Sequence, residues 1–271
     1  MDYNNISRLD GKVVLVTGGA RGLGAEIANA LLQTGASVMI TDVLSEIGMQ
    51  TQLALAAKFP GRVEFMHHNV TKEADWEAAV AGTVKHFGGL DVLVNNAGIE
   101  TQSFFADTEL AEFQRTMAIN VDGVFLGIKH AIRTMRPGGP AGKGGSIINL
   151  SSVAGIIGQP TLGAYCASKG AVRLMTKAAG VECGRLGYGI RVNSIHPSII
   201  KTEMGINVVN NFAKLGMAPS AEAADALVES MHPIGYGQPS DVANAVLFLA
   251  GEASRWMTGA EVVIDGGATA T

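Results

Sequence analysis

Charge is what this chain has least of. Only 16% of its 271 residues are Asp, Glu, Lys or Arg, against about a quarter in an ordinary soluble domain. The shortfall, with an apolar content of 47%, points to a large core, to subunit interfaces, or to both. The net charge of -4 comes with no basic run and no RNA-binding motif, which removes nucleic acid from the expected partners. Cysteine is scarce as well. Cys166 and Cys183 have neither metal nor redox spacing. They fall in one apparently helical stretch, where about 25 Å would separate them, too far for a disulfide. His67, His68 and His196 stand at strand ends without ligand spacing, so no metal is expected. No apolar run has the length of a membrane span, and "MDYNNISRLDGK" (1–12) lacks the charged-then-apolar layout of a signal peptide. Repeats, low-complexity tracts and composition shifts are missing too. The expectation is a soluble, cytoplasmic, membrane-free chain with one domain over 1–271.

What is present is an alternation. β-branched apolar runs at 12–18, 37–42, 62–70, 90–98, 146–152, 190–197 and 260–267 read as strands. Helical stretches separate them, near 23–35, 45–58, 73–87, 107–117, 120–135, from Tyr165 to about 186, and 240–251. Crossovers of that length demand a parallel sheet with helices on both faces, and the almost unbroken apolar strands agree. The expected fold is α/β, a doubly wound Rossmann-type sheet of about seven strands. Residues 198–237 have the weakest periodicity and are expected to form a substrate lid.

"TGGARGLG" (17–24) joins the first strand to the first helix. Gly18, Gly22 and Gly24 are spaced more widely than the six-residue dinucleotide fingerprint, but the physics is shared. Glycines allow a tight turn and let amides approach a pyrophosphate at a helix N-terminus. Asp42 ends the second strand, where a carboxylate accepts from ribose hydroxyls and repels a 2′-phosphate, favouring NAD over NADP. Arg21 pulls the other way, and a helix N-cap is the alternative use of Asp42.

"YCASK" (165–169) puts a phenol and an amine on one helix face. Alone, the pair reads more readily as two unrelated surface residues than as a catalytic one. A serine at the end of the fifth strand changes that, since ligands gather at strand C-termini in such sheets. Ser151 and Ser152 both qualify, and alternation allows only one of them to face the site.

Together "TGGARGLG", "NNAG" (95–98), the Ser–Tyr–Lys arrangement and the "HP" at 196–197 resemble the short-chain dehydrogenase/reductase family, from about residue 9 to 267. Within it, "TGGARGLGAE", "TDVLSEIG", "VNNAGI", "IRVNSIHP" and "MTGAEVVIDGG" are most similar to NAD-dependent bacterial hydroxysteroid dehydrogenases. The resemblance implies a catalytic set of Asn120, Ser152, Tyr165 and Lys169, with Ser152 chosen by the family's spacing to the tyrosine. Tyr165 would exchange the alcohol proton. Lys169 would lower the phenol pKa and hold the nicotinamide ribose. Ser152 would bond the substrate oxygen, and Asn120 would order a water beside Lys169, helix capping being its other reading. Bringing a phenol from about 10 to about 7 takes roughly 4 kcal/mol, which one cation near 4 Å can supply in partly buried surroundings.

The same resemblance implies cofactor contacts from Gly18, Arg21, Gly22, Leu23 and Gly24 in the first turn and from Asp42 and Val43 after the second strand. Asn69 and Val70 would flank the adenine, where the family more often has Asp in place of Asn69. Asn96, Ala97 and Gly98 would lie near the cofactor, and Tyr165 and Lys169 would touch it. Pro197, Ile200 and Thr202 would hold the nicotinamide end. Ser198 departs from the family's glycine, which puts the local backbone in doubt.

The expected reaction interconverts a secondary alcohol and a ketone. Ile206, Val208, Val209, Phe212, Leu215 and Met217 would line the lid and favour an apolar, cyclic substrate of steroid, terpenoid or cycloalkanol type. The same residues would serve equally to anchor a helix pair. Glu100, Gln102 and Gln159 are candidates for the substrate entrance. Lys201 and Lys214 are isolated, so a phosphorylated, coenzyme-A or carrier-protein substrate lacks a docking patch. Another small hydroxy compound such as a cyclic diol, and a non-catalytic NAD-binding sensor, stay open. A homotetramer is expected from the family.

Overall fold

The computed structural model describes residues 7–270. Strands and helices alternate as β1 (Val13–Thr17), α1 (Gly22–Gln33), β2 (Ser37–Asp42), α2 (Ser45–Ala56), β3 (Val63–His67), α3 (Glu73–Phe87) and β4 (Val92–Asn95). There follow α4 (Leu110–Met117), α5 (Gly123–Met135), β5 (Gly145–Leu150), α6 (Gly163–Arg185), β6 (Ile190–Pro197), α7 (Glu203–Lys214), α8 (Ala221–Ser230), α9 (Pro239–Ala250) and β7 (Glu261–Ile264). The seven strands form one parallel sheet in the order β3-β2-β1-β4-β5-β6-β7. Direction of winding reverses between β1 and β4, and such a switch point opens a crevice at the strand C-termini.

Strand alternation divides the core in two. Val14, Val16, Val92, Val94, Ile148 and Leu150 face a layer with Ile27 and Leu31 of α1 and Val246 and Leu249 of α9. Leu15, Leu93 and Ile147 face the opposite layer, with Trp76 of α3, Ile128 of α5 and Val172 of α6. Burying both faces is what makes these strands apolar throughout.

Three expectations change in detail. The strands expected over 62–70 and 90–98 are shorter, because their ends turn to polar work: His68 meets the Thr41 hydroxyl, and Asn96 turns back to the Thr17 and Gly18 carbonyls. The helices expected at 107–117 and 120–135 are one rod, α4 and α5 joined through a π-helical turn at Ala118–Asp122. The weakly periodic 198–237 holds α7 and α8, each capped by a hydroxyl, Thr202 and Ser220. Val209, Ala218, Ala224 and Val228 give this pair a small core of its own, with Phe212 packed against it, and Val209 also lines an apolar cavity. Val208 is also buried, whereas Ile206 and Met217 are exposed. Both cysteines lie on α6 and are unpaired.

Candidate active site

Gly18 and Gly22 take positive φ of 66° and 56°, the left-handed region that favours glycine. A Cβ on Gly18 would come within 2.8 Å of the Ala97 Cα, and one on Gly24 within 2.0 Å of the Gly18 carbonyl oxygen. Asn96 fixes the turn from behind, its amide donating to the carbonyls of Thr17 (2.9 Å) and Gly18 (3.1 Å). The backbone amides of Asn96 and Ala97 both donate to the Thr17 hydroxyl, at 3.1 Å each. The α1 N-terminus has no side-chain cap and no acidic residue in its first turn. A cradle with no room for a side chain at Gly18 and Gly24, beside uncapped helix amides, fits a pyrophosphate. Gly98 lies against the Asn120 side chain, and Leu23 packs against the core beneath the turn.

Asp42 braces this rim. One carboxylate oxygen accepts from the Ala20 amide and the other from the Leu44 amide, both at 3.1 Å. The carboxylate therefore ties the glycine turn to the start of α2 while keeping lone pairs for a further donor. Val43 beside it is exposed. The Arg21 guanidinium pairs with Glu203 at the start of α7, a link from the glycine turn to the 198–237 segment that sequence reading did not reach. Asn69 spends its amide oxygen within its own turn. Its amide oxygen accepts from both the amide (3.1 Å) and the hydroxyl (2.8 Å) of Thr71. A carbonyl oxygen has two lone pairs, so Asn69 has its NH2 to offer an adenine edge, and not its oxygen. Val70 is buried in the core, and its carbonyl accepts from the Trp76 indole at 2.9 Å.

The four residues expected to be catalytic converge where β5 ends. The serine ambiguity resolves by alternation. Ser151 donates to the Lys169 carbonyl at 2.8 Å, locking α6 to the strand. Ser152 faces the other way, accepting from the Ala154 amide at 3.1 Å and donating to the Pro197 carbonyl at 3.3 Å. Its hydroxyl also favours the Tyr165 anion. Burial nevertheless dominates and pushes the Tyr165 phenol above its ordinary value, with the Glu100 carboxylate adding to the rise. Lys169 does not reverse this. Its ammonium sits 5.5 Å from the Tyr165 ring centre and donates to the Leu150 carbonyl at 2.8 Å. Burial brings Lys169 itself down to about 8. The expected lowering of the phenol by this lysine is thus absent from the chain alone, since desolvation penalises both charged forms.

Asn120 is fully buried in the π-helical turn. Its oxygen accepts from the Ile99 amide (2.9 Å), and its NH2 donates to the Ile99 carbonyl (2.8 Å) and the Ser168 hydroxyl (3.0 Å). It is therefore no helix cap; it clamps the segment after β4 to α6. Turns of this kind recur at functional sites, and periodicity gives no sign of them.

At the end of β6 the Pro197 carbonyl meets Ser152; beyond it, buried Ile200 pairs with Gly237, and the Thr202 hydroxyl caps α7 by accepting from the Gly205 amide at 3.2 Å. Ser198 needs no glycine geometry, since Thr161 is the one non-glycine residue with positive φ among the described residues. Its hydroxyl lies 2.7 Å from Nε2 of buried His232, whose Nδ1 lies 2.7 Å from the Val228 carbonyl. A carbonyl only accepts, so Nδ1 donates to Val228, and in the neutral ring Nε2 is left to accept from the Ser198 hydroxyl. Sequence reading missed His232; a lone buried histidine has no motif. His196 is a core histidine, with Nε2 2.8 Å from the Ser194 hydroxyl and Nδ1 3.0 Å from the Ser152 carbonyl. An apolar cavity of about 290 Å³ lies between Ile199–Lys201, α7 and Tyr236. It sits beneath the helix pair and not between Ser152 and Tyr165.

Glycine cradle and converging Ser, Tyr and Lys define a nicotinamide-dependent oxidoreductase of Rossmann type. The chain belongs to the short-chain dehydrogenase/reductase family. Residues 18–269 match the family model described as enoyl-(acyl carrier protein) reductase. The chain is 39% identical to an NADP-dependent (R)-specific alcohol dehydrogenase of Lentilactobacillus kefiri, covering 97% of this chain and 98% of that one. It is 42% identical to a 3-alpha-(or 20-beta)-hydroxysteroid dehydrogenase of Mycobacterium bovis, covering 97% and 91%. It is 41% identical to a cyclopentanol dehydrogenase of Comamonas, covering 98% and 100%.

Proposed function

We propose that this chain interconverts a secondary alcohol and a ketone on an apolar, cyclic substrate, with NAD as its preferred cofactor. The convergence of Ser152, Tyr165 and Lys169 beside the glycine cradle carries the reading. The relatives named for alcohols, cyclopentanol and hydroxysteroids support the substrate class.

A bound nicotinamide would supply the hydride acceptor or donor and, when oxidised, a positive charge. Gly18, Gly22, Leu23 and Gly24 would hold its pyrophosphate, with Arg21 at the rim. Asp42 and Val43 would take the adenosine ribose, and Asn69 and Val70 the adenine side. Asn96, Ala97 and Gly98 would back the cofactor, and Pro197, Ile200 and Thr202 would hold the amide end. Tyr165 would remove the alcohol proton in oxidation and return it in reduction. Ser152 would steady the substrate oxygen. Lys169 would hold the ribose and add positive potential at the phenol. Asn120 keeps Ile99 and Ser168 in register, so the rim beside Lys169 stays formed, and it would order a water there.

For the cofactor, Asp42 supports NAD, and the Arg21–Glu203 pair occupies the one cation of the turn that would attract a 2′-phosphate. The relative named as NADP-dependent keeps the question open to measurement. Steady-state kcat/KM with both cofactors should favour NAD, and Asp42→Ala should shift the ratio towards NADP. A wild-type preference for NADP would overturn the assignment. A panel of ring alcohols read by NADH absorbance tests the activity itself, and no turnover of any would return the chain to a sensor role.

The helix pair in 198–237 would act as the lid. The exposed Phe113, Phe125 and Leu174 of α4, α5 and α6 and Val263 of β7 would be covered in a homotetramer. Among the described residues no helix is long and apolar enough to cross a membrane.

A further inference from the structure

Three buried polar atoms stand without a hydrogen-bond partner near the catalytic tyrosine: Glu100 Oε1, Gln102 Oε1 and Thr161 Oγ1. They belong to two neighbouring segments. Residues 99–103 run beside 161–162, joined by the Ser103 amide donating to the Thr161 carbonyl at 2.9 Å and by the Ser103–Leu162 bridge. The second segment leads directly into α6 and Tyr165.

Buried polar groups are nearly always paired, and an unpaired one calls for an explanation in strain, a catalytic role, or a bound water or ion. Here strain is present as well. Thr161 holds φ at 66°, a conformation that is an outlier for a β-branched residue and gathers at functional sites. The Glu100 carboxylate lies close enough to the Tyr165 phenol to raise the phenol's pKa. Burial raises the pKa of Glu100 itself to about 7, as expected of a carboxyl with no cation to meet. Gln102 turns its NH2 towards the Val208 carbonyl of α7 at 3.4 Å, which leaves its oxygen as the free acceptor.

We infer that Glu100, Gln102 and Thr161 form a polar subsite for a second hydroxyl group on the substrate ring, remote from the carbon that is oxidised. The chemistry selects among polar groups. Two orphan oxygens accept and one hydroxyl both donates and accepts. A ring hydroxyl satisfies both sides by donating to Glu100 or Gln102 and accepting from Thr161. A ring carboxylate has no proton to donate and would leave the Gln102 oxygen unpaired, whereas a ring ammonium could bond all three oxygens and is the competitor to test against. The inference rests on the proposed alcohol dehydrogenase reading and narrows it to diol and hydroxyketone substrates.

The test uses the wild-type chain reducing cyclohexanone, the 2-, 3- and 4-hydroxycyclohexanones, their methyl ethers, 4-aminocyclohexanone, and 4-oxocyclohexanecarboxylate. One hydroxyketone isomer should exceed its methyl ether in kcat/KM by about tenfold or more, because a site built to bond a hydroxyl rejects analogues that leave its groups unpaired. Glu100→Leu and Thr161→Val should each reduce that ratio several-fold, with melting curves confirming folded protein. Equal use of hydroxyketones and ethers by the wild type, or a preference for the carboxylate, overturns the subsite while leaving the dehydrogenase reading intact. A preference for 4-aminocyclohexanone over every hydroxyketone overturns the hydroxyl assignment. Failure to reduce even cyclohexanone with either cofactor removes both.

Discussion

The Lys169 ammonium lies 5.5 Å from the centre of the Tyr165 ring, yet its hydrogen bond goes to the Leu150 carbonyl at 2.8 Å. Amine and phenol thus share a face of α6 without direct pairing, and burial penalises the charged form of each. The proton-transfer pair is held in neutral-leaning surroundings, where any further positive charge has a large effect.

Replacing Tyr165 by Phe removes the exchangeable proton and keeps the ring. We expect kcat to fall about a thousandfold, in the range typical of a lost general acid or base, while cofactor titration gives an unchanged dissociation constant within a few-fold. Substantial residual turnover would refute the acid/base role.

Lys169 carries a stability signature with a definite sign. Its folded pKa of about 8 lies below the ordinary 10.5. Below pH 8 both states hold the proton, and the folded chain bears the buried charge. Between those two values the unfolded chain binds more protons, so stability rises with pH. Lys169→Met should therefore melt above wild type near pH 7, and the gap should close towards pH 10.5 while activity is lost. Calorimetry showing the same gap at every pH would contradict this.

Glu100 has the opposite sign. Its folded pKa of about 7 exceeds the ordinary 4.5, so the folded chain holds more protons between these values and its stability falls as pH rises through them. Glu100→Gln should flatten that fall, gaining a few degrees in Tm over wild type from pH 4.5 to 7. Parallel Tm profiles for the two proteins would show that Glu100 titrates normally.

Ser198 stands where the family prefers glycine, and Ser198→Gly tests whether that departure is tolerated or used. The substitution breaks the hydroxyl bond to His232 and adds backbone freedom. Each is worth roughly 1 kcal/mol, with no strain to relieve at this φ. We expect Tm to drop by several degrees, and His232→Ala to lower it by a similar amount. A rise in Tm for the glycine variant would mean that the serine is strained after all.

Much of this architecture was legible in the residues because its signals are local. The run of β-branched residues in "KVVLVTG" makes a strand that buries both faces, and "TGGARGLG" makes a turn that only glycines can close at Gly18 and Gly24. Helical spacing alone puts Tyr165 and Lys169 on one face. The sequence by itself therefore determined the order of strands and helices, the glycine turn, and the Tyr–Lys pair. Tertiary structure decided what depends on residues distant in the chain. It set which serine faces Tyr165, since that follows from Pro197 and α6. It set the lone pairs of Asn69, the clamp of Asn120 on Ile99, the Ser198–His232 bond, and the unpaired atoms of Glu100, Gln102 and Thr161. Hydrogen-bond saturation and desolvation are sums over whatever surrounds a group in space, and no spacing along the chain encodes those sums.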